Sequence, residues 1–509
     1  MLNTFWKQFK SGTDVRGVAS EGVANEPVNL TDAVIRQITG AFVLWLQKRT
    51  GLSPEEMTLS VGHDSRISAG RISGVVCDTL CRAGVQVLNC HLASTPSMFM
   101  TTVDLHCPGA IQITASHHPF NRNGLKFFTR DGGLEGSELS EILQLAEEGA
   151  MPPDAAAPGK ITDTDYMTDY AAALRRTIQQ GVNAPDYEHP LAGFHIVVDA
   201  GNGAGGFYAR QVLAPLGADI TGSQFLEPDG MFPNHIPNPE NPKAMESICT
   251  AVKKAGADLG VIFDTDVDRG GAVDEKGEEI NRNRLVAIAS YIALQGNPGG
   301  TIVTDSITSD GLKEYIENTL GGRHHRFKRG YKNVIDEAIR LNREGVNCPL
   351  AIETSGHAAL RENYFLDDGA YLCTRIIILA ACLRREGKTL GDLLRPLREA
   401  AEEKEIRLPI LEEDFRACGE RVIDGLLAYA KAHQWQIAPD NHEGLRVSFG
   451  PQDGDGWFLL RLSVHDPILP LNIESNQPGG AKVIAGHLYG YLTSCEGIGL
   501  SPLEEYLHS

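Results

Sequence analysis

Apolar and polar positions along this chain recur in two periods, and the period switches many times. AVIRQITGAFVLWLQK (34–49) carries apolar residues at helical spacing, with charge on the other face. MTLSVG (57–62) is strand-like, and GRISGVVCDTLCRAG (70–84) is helical with a stop at Gly84. VQVLNC (85–90) and GAIQIT (109–114) are strand-like again. Such alternation predicts parallel strands joined by helical crossovers. A Pro-, Ala- and Gly-rich stretch around 146–160 reads as an excursion, followed by a helix at about 164–180. The same grammar restarts at FHIVVDAGNGAGG (194–206) and at GGTIVTDSITSDGL (299–312). Near the end, LRVSFG, WFLLRLSV and LPLNIES crowd together between helical stretches, the pattern of an antiparallel sheet with helices on one face. The predicted fold is three tandem, similar α/β domains with mixed sheets plus a C-terminal α+β domain. The predicted boundaries are 1–189, 190–297, 298–403 and 404–509.

Composition narrows the function classes. The 509 residues are 42% hydrophobic and 22% charged, the balance of a soluble globular protein. With 46 Lys and Arg against 66 Asp and Glu, the net charge of −20 speaks against nucleic acid as a partner. An anionic small substrate needs local positive charge instead. The ten cysteines are scattered. Cys77 and Cys81 share a helix face, but no second pair offers zinc spacing, so reduced thiols are expected. The opening MLNTFWKQFK lacks the apolar core of a signal peptide, and no apolar run reaches 18 residues. The expectation is a cytoplasmic enzyme without a membrane segment.

ADLGVIFDTDVDRGGAVDEKG (257–277) is chemically the richest segment. A strand-like LGVIF runs into Asp264, Asp266 and Asp268, with Arg269 next. Three carboxylates at a strand exit can converge on one hard cation such as Mg²⁺. An EF-hand fits less well: Glu275 falls at its twelfth position, but Arg269 stands where the loop needs glycine, and the preceding segment is β-like. A solvated acidic turn is the remaining alternative. Arg269 beside such a triad suits an anion bridging the two, for instance a phosphate. TASHHP (114–119) leaves GAIQI at the place where α/β folds carry reactive groups. Ser116 with His117, His118 and Lys126 suits phosphoryl transfer, and equally an ordinary polar turn.

Taken together, these loops resemble those of the α-D-phosphohexomutases, the family of phosphomannomutase/phosphoglucomutase and phosphoglucosamine mutase. TASHHPFNRNGLKFF (114–128) is similar to the family's phosphoserine loop, with His118 in place of asparagine. Residues 264–269 meet its Asp-x-Asp-x-Asp-Arg metal loop in full. Glu353-Thr354-Ser355-Gly356-His357 resembles the sugar-binding loop, and Arg461–Pro467 the C-terminal phosphate loop. In the latter, Val464 and His465 depart from the family pattern. DVRG (14–17) and EPDGMFPNHIPNP (227–239) are supporting matches. The resemblance implies four domains around a central cleft. It implies a phosphorylated Ser116, and Mg²⁺ held by Asp264, Asp266, Asp268 and Ser116. A hexose 1,6-bisphosphate would be both intermediate and activator. Arg16 and Arg269 would stabilise the transferred phosphoryl group. Lys126, buried among cations, would be the general acid/base, and His117 would hold the loop or share in proton transfer. Glu353, Ser355, His357 and Lys332 would face the sugar, and Arg461, Ser463 and His465 the phosphate that is not reacting. The expected reaction is interconversion of hexose 1-phosphate and hexose 6-phosphate, for glucose or mannose, by a monomer or homodimer. Phosphoglucosamine mutase is the nearest alternative, although Thr354 stands where such enzymes carry glutamine. A metal-dependent serine phosphatase and a non-catalytic binding protein of this fold are more distant ones.

Overall fold

A computed structural model describes residues 2–463 and 466–509, and in it the chain forms two compact units. The first joins Met1–Leu285 to Ser355–Gly391, and the second joins Val286–Thr354 to Asp392–Ser509.

The first unit holds an eight-stranded mixed sheet. Its centre is parallel: Gly109–Ile113, Thr58–His63, Gln86–Leu92 and Ile161–Asp163 lie in that order. Arg122–Thr129 and Asp14–Val18 extend it antiparallel. The strands Thr58–His63 and Gly109–Ile113 are buried along most or all of their length, which explains their near-continuous apolar sequence. Helices Asp32–Thr50, Ala69–Arg82 and Gly136–Glu147 pack their apolar faces on this sheet around Phe42, Leu59, Ile111 and Phe127. Gly84 takes φ +95°, as the stop signal after the helix required. A second, four-stranded sheet runs Glu279–Ile280, Gly270–Val273, Leu259–Phe263, Ile196–Asp199; only the last two strands are parallel. Helix Pro242–Ala255 covers it.

In the second unit, Arg323–Arg326, Thr301–Thr304 and Leu350–Ile352 pair in parallel. A five-stranded antiparallel sheet follows, in the order Glu402–Pro409, Ile468–Ser475, Gly456–Leu460, Leu445–Phe449, Gln436–Ile437. Helices Phe415–Ala432 and Gly480–Leu492 close its core. The α+β ending predicted from the sequence is thus present. Within this unit a buried arginine ties the antiparallel sheet to the loop after Thr301–Thr304. Arg446 donates to the carbonyls of Ser306 and Thr308, both at 3.0 Å, and to Asp310 at 2.9 Å. Its guanidinium lies 3.5 Å from the Trp457 ring centroid. Arg326 shares Asp310 at 2.8 Å.

All ten cysteines are free thiols. No helix among the described residues is long and apolar enough to cross a membrane.

Candidate active site

Each functional loop of the first unit leaves the C-terminal end of a strand, where main-chain pairing stops and side chains are free to converge. Asp64 follows Thr58–His63, Ser116 follows Gly109–Ile113, and Asp264 follows Leu259–Phe263. Ser116 is 8% exposed and adopts φ +47°, a left-handed conformation uncommon for a residue with a side chain. Its amide donates to Thr114 Oγ1 at 2.9 Å, and Thr114 in turn donates to Asp64 Oδ2 at 2.7 Å. Its Oγ donates to Asp264 Oδ2 at 3.1 Å and accepts from Arg269 Nη2 at 3.1 Å.

Asp264, Asp266 and Asp268 are buried, and their ligand oxygens all lie within 4.8 Å of one another. The burial disfavours the solvated-turn alternative. Burial first, then the neighbouring charges of Asp268 and Asp266, push the Asp264 carboxyl well above the usual range. Thr95 Oγ1 donates to Asp266 Oδ2 at 2.5 Å. The Oδ1 atoms of Asp266 and Asp268 are buried without a hydrogen-bond donor among the described residues. Buried acceptors left without a donor are costly. Three converging carboxylates with two such oxygens form a donor set that fits a hard divalent cation.

Arg269 is buried at the centre of this arrangement. Its Nε donates to Asp264 Oδ2 at 3.2 Å, and its Nη1 to Asn238 Oδ1 at 3.1 Å. Its Nη2 also donates to His117 Nδ1 at 2.6 Å. Burial, reinforced by the charge of Arg269, drives the His117 imidazole down to about 2. His117 is therefore neutral and its Nδ1 is an acceptor, which suits holding the loop rather than donating a proton there. His118 stacks on it with ring centroids 5.2 Å apart and is pushed down to about 4, by burial first and Arg16 next. Arg16 pairs with Asp14 at 2.7 Å and donates to the carbonyl of Thr114, at the root of the serine turn.

Lys126 requires a correction. It was expected among cations, but its Nζ pairs with Asp268 and lies 3.3 Å from Asp266 Oδ2. Its strand is antiparallel to Gly109–Ile113, with Lys126 opposite Gln112, and this register carries it to the metal loop. His357 Nδ1 lies 2.5 Å from Asp367 Oδ2. Burial alone would depress this imidazole, but the Asp367 carboxylate lifts it to about 9. Ser355, two residues earlier, is buried.

The remaining predicted residues belong to the second unit. Glu353 is 3% exposed and accepts from the amide of Gly330 at 2.6 Å, at the start of helix Tyr331–Arg343. Beside it, Asp305 accepts from Thr354 Oγ1 at 2.8 Å and has Arg329 Nε at 4.0 Å. Burial first, and then the charge of Glu353, push the Asp305 carboxyl up to about 7. Glu443 accepts from the amide of Arg329 at 2.9 Å and from the Ser306 hydroxyl. The Arg461 guanidinium is lowered by burial, with Glu443 opposing and Arg329 adding to the effect. Its Nε has no hydrogen-bond acceptor among the described residues. Ser463 Oγ accepts from the amide of Asp466 at 3.2 Å. Lys332 forms an ion pair with Asp336 one helical turn on. Val464 and His465 lie outside the described residues.

Several participants escape sequence reasoning. Asp64 and Arg66 had a usable signal, since HDSR (63–66) leaves a buried strand as TASHHP does. Asp367, Asp305, Arg329 and Glu443 had none.

Three family models match in order: Phosphoglucomutase/phosphomannomutase, alpha/beta/alpha domains I, II and III, over residues 7–151, 169–277 and 281–400. A phosphomannomutase of Salmonella montevideo is 31% identical over 433 residues, covering 82% of this chain and 87% of the relative. A phosphoglucomutase of Neisseria gonorrhoeae is 29% identical over 440 residues, covering 86% and 88%. The crystal structure of a phosphoglucomutase/phosphomannomutase family protein from Burkholderia thailandensis superposes with a TM-score of 0.77 at 25% identity, covering 97% of this chain and 98% of that one.

Proposed function

The chain belongs to the phosphoglucomutase/phosphomannomutase family of α-D-phosphohexomutases, and from that premise we propose that it interconverts hexose 1-phosphate and hexose 6-phosphate, with glucose or mannose as the sugar, through a phosphorylated Ser116. The observation that carries this reading is the placement of Ser116 Oγ, 3.1 Å from both Asp264 Oδ2 and Arg269 Nη2. A nucleophile between a metal-binding carboxylate and a fixed cation is what phosphoryl transfer requires, since positioning and charge neutralisation carry most of that chemistry.

In the forward half-reaction, a sugar hydroxyl attacks the phosphorus on Ser116. The new sugar O–P bond forms as the Ser116 O–P bond breaks, giving a hexose 1,6-bisphosphate. In the second half, the other phosphate returns to Ser116, so the bisphosphate also serves as activator. Asp264, Asp266 and Asp268 would hold Mg²⁺, which supplies Lewis-acid neutralisation of the phosphoryl oxygens. Arg269 donates from Nη2 to the oxygen that carries the phosphoryl group, and Arg16 adds positive charge at the root of the turn. Lys126, in its neutral amine form, takes and returns the proton of the reacting hydroxyl. His117 holds Arg269 against Ser116. The family resemblance alone assigns Glu353, Ser355, His357 and Lys332 to sugar hydroxyls. Arg461, Ser463 and His465 grip the phosphate that stays in place.

The test is turnover of glucose 1-phosphate and mannose 1-phosphate, with Mg²⁺ and catalytic glucose 1,6-bisphosphate, alongside the amino and N-acetylated sugar phosphates. The expected products are glucose 6-phosphate and mannose 6-phosphate, lost on chelation and restored by Mg²⁺. Turnover confined to the amino sugar would select the phosphoglucosamine reading, and release of inorganic phosphate the phosphatase one. A folded protein inert toward all of them would refute the proposal.

A further inference from the structure

The serine turn is shaped by a buried side chain of the 63–66 loop, Arg66, which has no part in the proposed mechanism. Arg66 is 2% exposed and sits on the turn 116–122. Its Nη1 donates to the carbonyls of Pro119 at 2.7 Å and Arg122 at 2.9 Å. Its Nη2 donates to the carbonyls of His118 at 2.6 Å and Ser116. Its Nε faces Asp64 Oδ2 at 3.2 Å, and the same carboxylate accepts from Thr114, which in turn holds the amide of Ser116. One planar guanidinium thus gathers four carbonyls of a seven-residue turn, a geometry that an ammonium cannot reproduce.

The EPDGMFPNHIPNP loop (227–239), singled out in the sequence, covers this arginine. The Phe232 ring centroid lies 5.3 Å from Arg66 Cζ. Gly230 packs so closely on residues 65–67 that a Cβ there would stand 2.5 Å from the carbonyl oxygen of Ser65 and 2.7 Å from the carbonyl carbon of Arg66. The same loop reaches Arg269 through Asn238.

We propose that Arg66 is a positioning residue for phosphoryl transfer: by gathering the carbonyls of the turn it keeps Ser116 left-handed, with its Oγ at Asp264 and Arg269. Two physical effects follow. The strained φ of Ser116 persists only while surrounding bonds over-determine it, and Arg66 supplies four such bonds along the turn, one of them to the Ser116 carbonyl itself. Carbonyl oxygens would also repel a phosphoryl dianion on Oγ, and four of them are bound to Arg66. Gly230 is what lets the covering loop seal this contact from water. The inference rests on the reading of Ser116 as phosphoryl carrier.

The test compares Arg66→Lys, Arg66→Ala and Gly230→Ala with the unaltered protein, each checked for fold by circular dichroism. For Arg66→Lys we expect kcat to fall about 100-fold, with KM for glucose 1-phosphate within about threefold, because a nucleophile displaced by about 1 Å loses rate rather than affinity. Loading of Ser116 from labelled glucose 1,6-bisphosphate should slow in proportion. Methylguanidinium should restore roughly tenfold activity to Arg66→Ala and none to Ser116→Ala. A folded Arg66→Lys with near-normal kcat, or one whose loss lies in KM, overturns the proposal. If neither arginine variant folds, Gly230→Ala decides: kcat lowered about tenfold at unchanged KM supports the clamp, and unchanged kcat overturns it. Failure here is separable from failure of the functional reading, which fails if the unaltered protein is inert toward the sugar phosphates or if Ser116→Ala itself turns over.

Discussion

The loops around Ser116 and those around Glu353 solve different problems with the same residue types. Around Ser116, the three aspartates and Arg269 are at most 2% exposed, and the Lys126 and Arg269 charges are met by carboxylates. In the second unit, the Arg329 and Lys332 side chains remain 24% and 20% exposed, and Arg461 Nε has no acceptor among the described residues. A charge that must stabilise one transition state is best fixed in a dry site before the substrate arrives. A charge that must grip a ligand in two orientations needs reach and access instead. On the proposed function the first region serves rate and the second binding, and each can be tested by what its mutation changes.

The largest effect falls on the first region. Ser116→Ala keeps a Cβ and so keeps the backbone strain unchanged, but removes the oxygen. We expect kcat to fall by about 10⁴-fold or more with the melting temperature nearly unchanged. A coupled glucose 6-phosphate assay reads it, and residual activity above a few per cent would break the assignment. In the second region the signature shifts to binding. Arg461→Lys removes the planar fork that matches a phosphate, so KM should rise about tenfold, roughly 1.4 kcal/mol, with kcat nearly intact. A loss confined to kcat would erase the contrast between the two regions.

The smallest effect is on stability. Asp305 is buried with its carboxyl pushed up to about 7, whereas an unfolded aspartate titrates near 3.9. The folded state therefore binds the extra proton, and stability is lost as pH rises from about 4 to about 7, then levels off. Asparagine cannot ionise yet still accepts from Thr354. Asp305→Asn should thus lose roughly 3 °C less melting temperature than wild type between pH 5 and pH 8. Parallel melting curves would contradict the assignment of this carboxyl.

What the sequence disclosed follows from the same division. Ser116, Asp264, Asp266, Asp268 and Arg269 are local runs at strand exits, so a short window contains the chemistry. The strands and helices of the α/β portions were equally legible because buried parallel strands write themselves as apolar runs. The surroundings of Lys126 were misjudged because they depend on a register between strands and on a loop some 140 residues further along the chain. Arg66 acts on backbone carbonyls, which leave no trace in residue types. The pairing of His357 with Asp367, and of Arg329 with Asp305 and Glu443, is likewise a product of folding alone.

Arg446 also bears on how such a gene can be recombined. A crossover placed before residue 392 would deliver the antiparallel sheet as a cassette. That cassette would carry a guanidinium stacked on Trp457 whose acceptors at 306 and 308 are main-chain carbonyls that any relative of this fold supplies, but whose carboxylate, Asp310, comes from the other segment. A buried cation stripped of its carboxylate is strongly destabilising. The C-terminal domain is therefore heritable into a relative only where position 310 carries a carboxylate, and chimeras lacking one there should exchange the two segments as a pair.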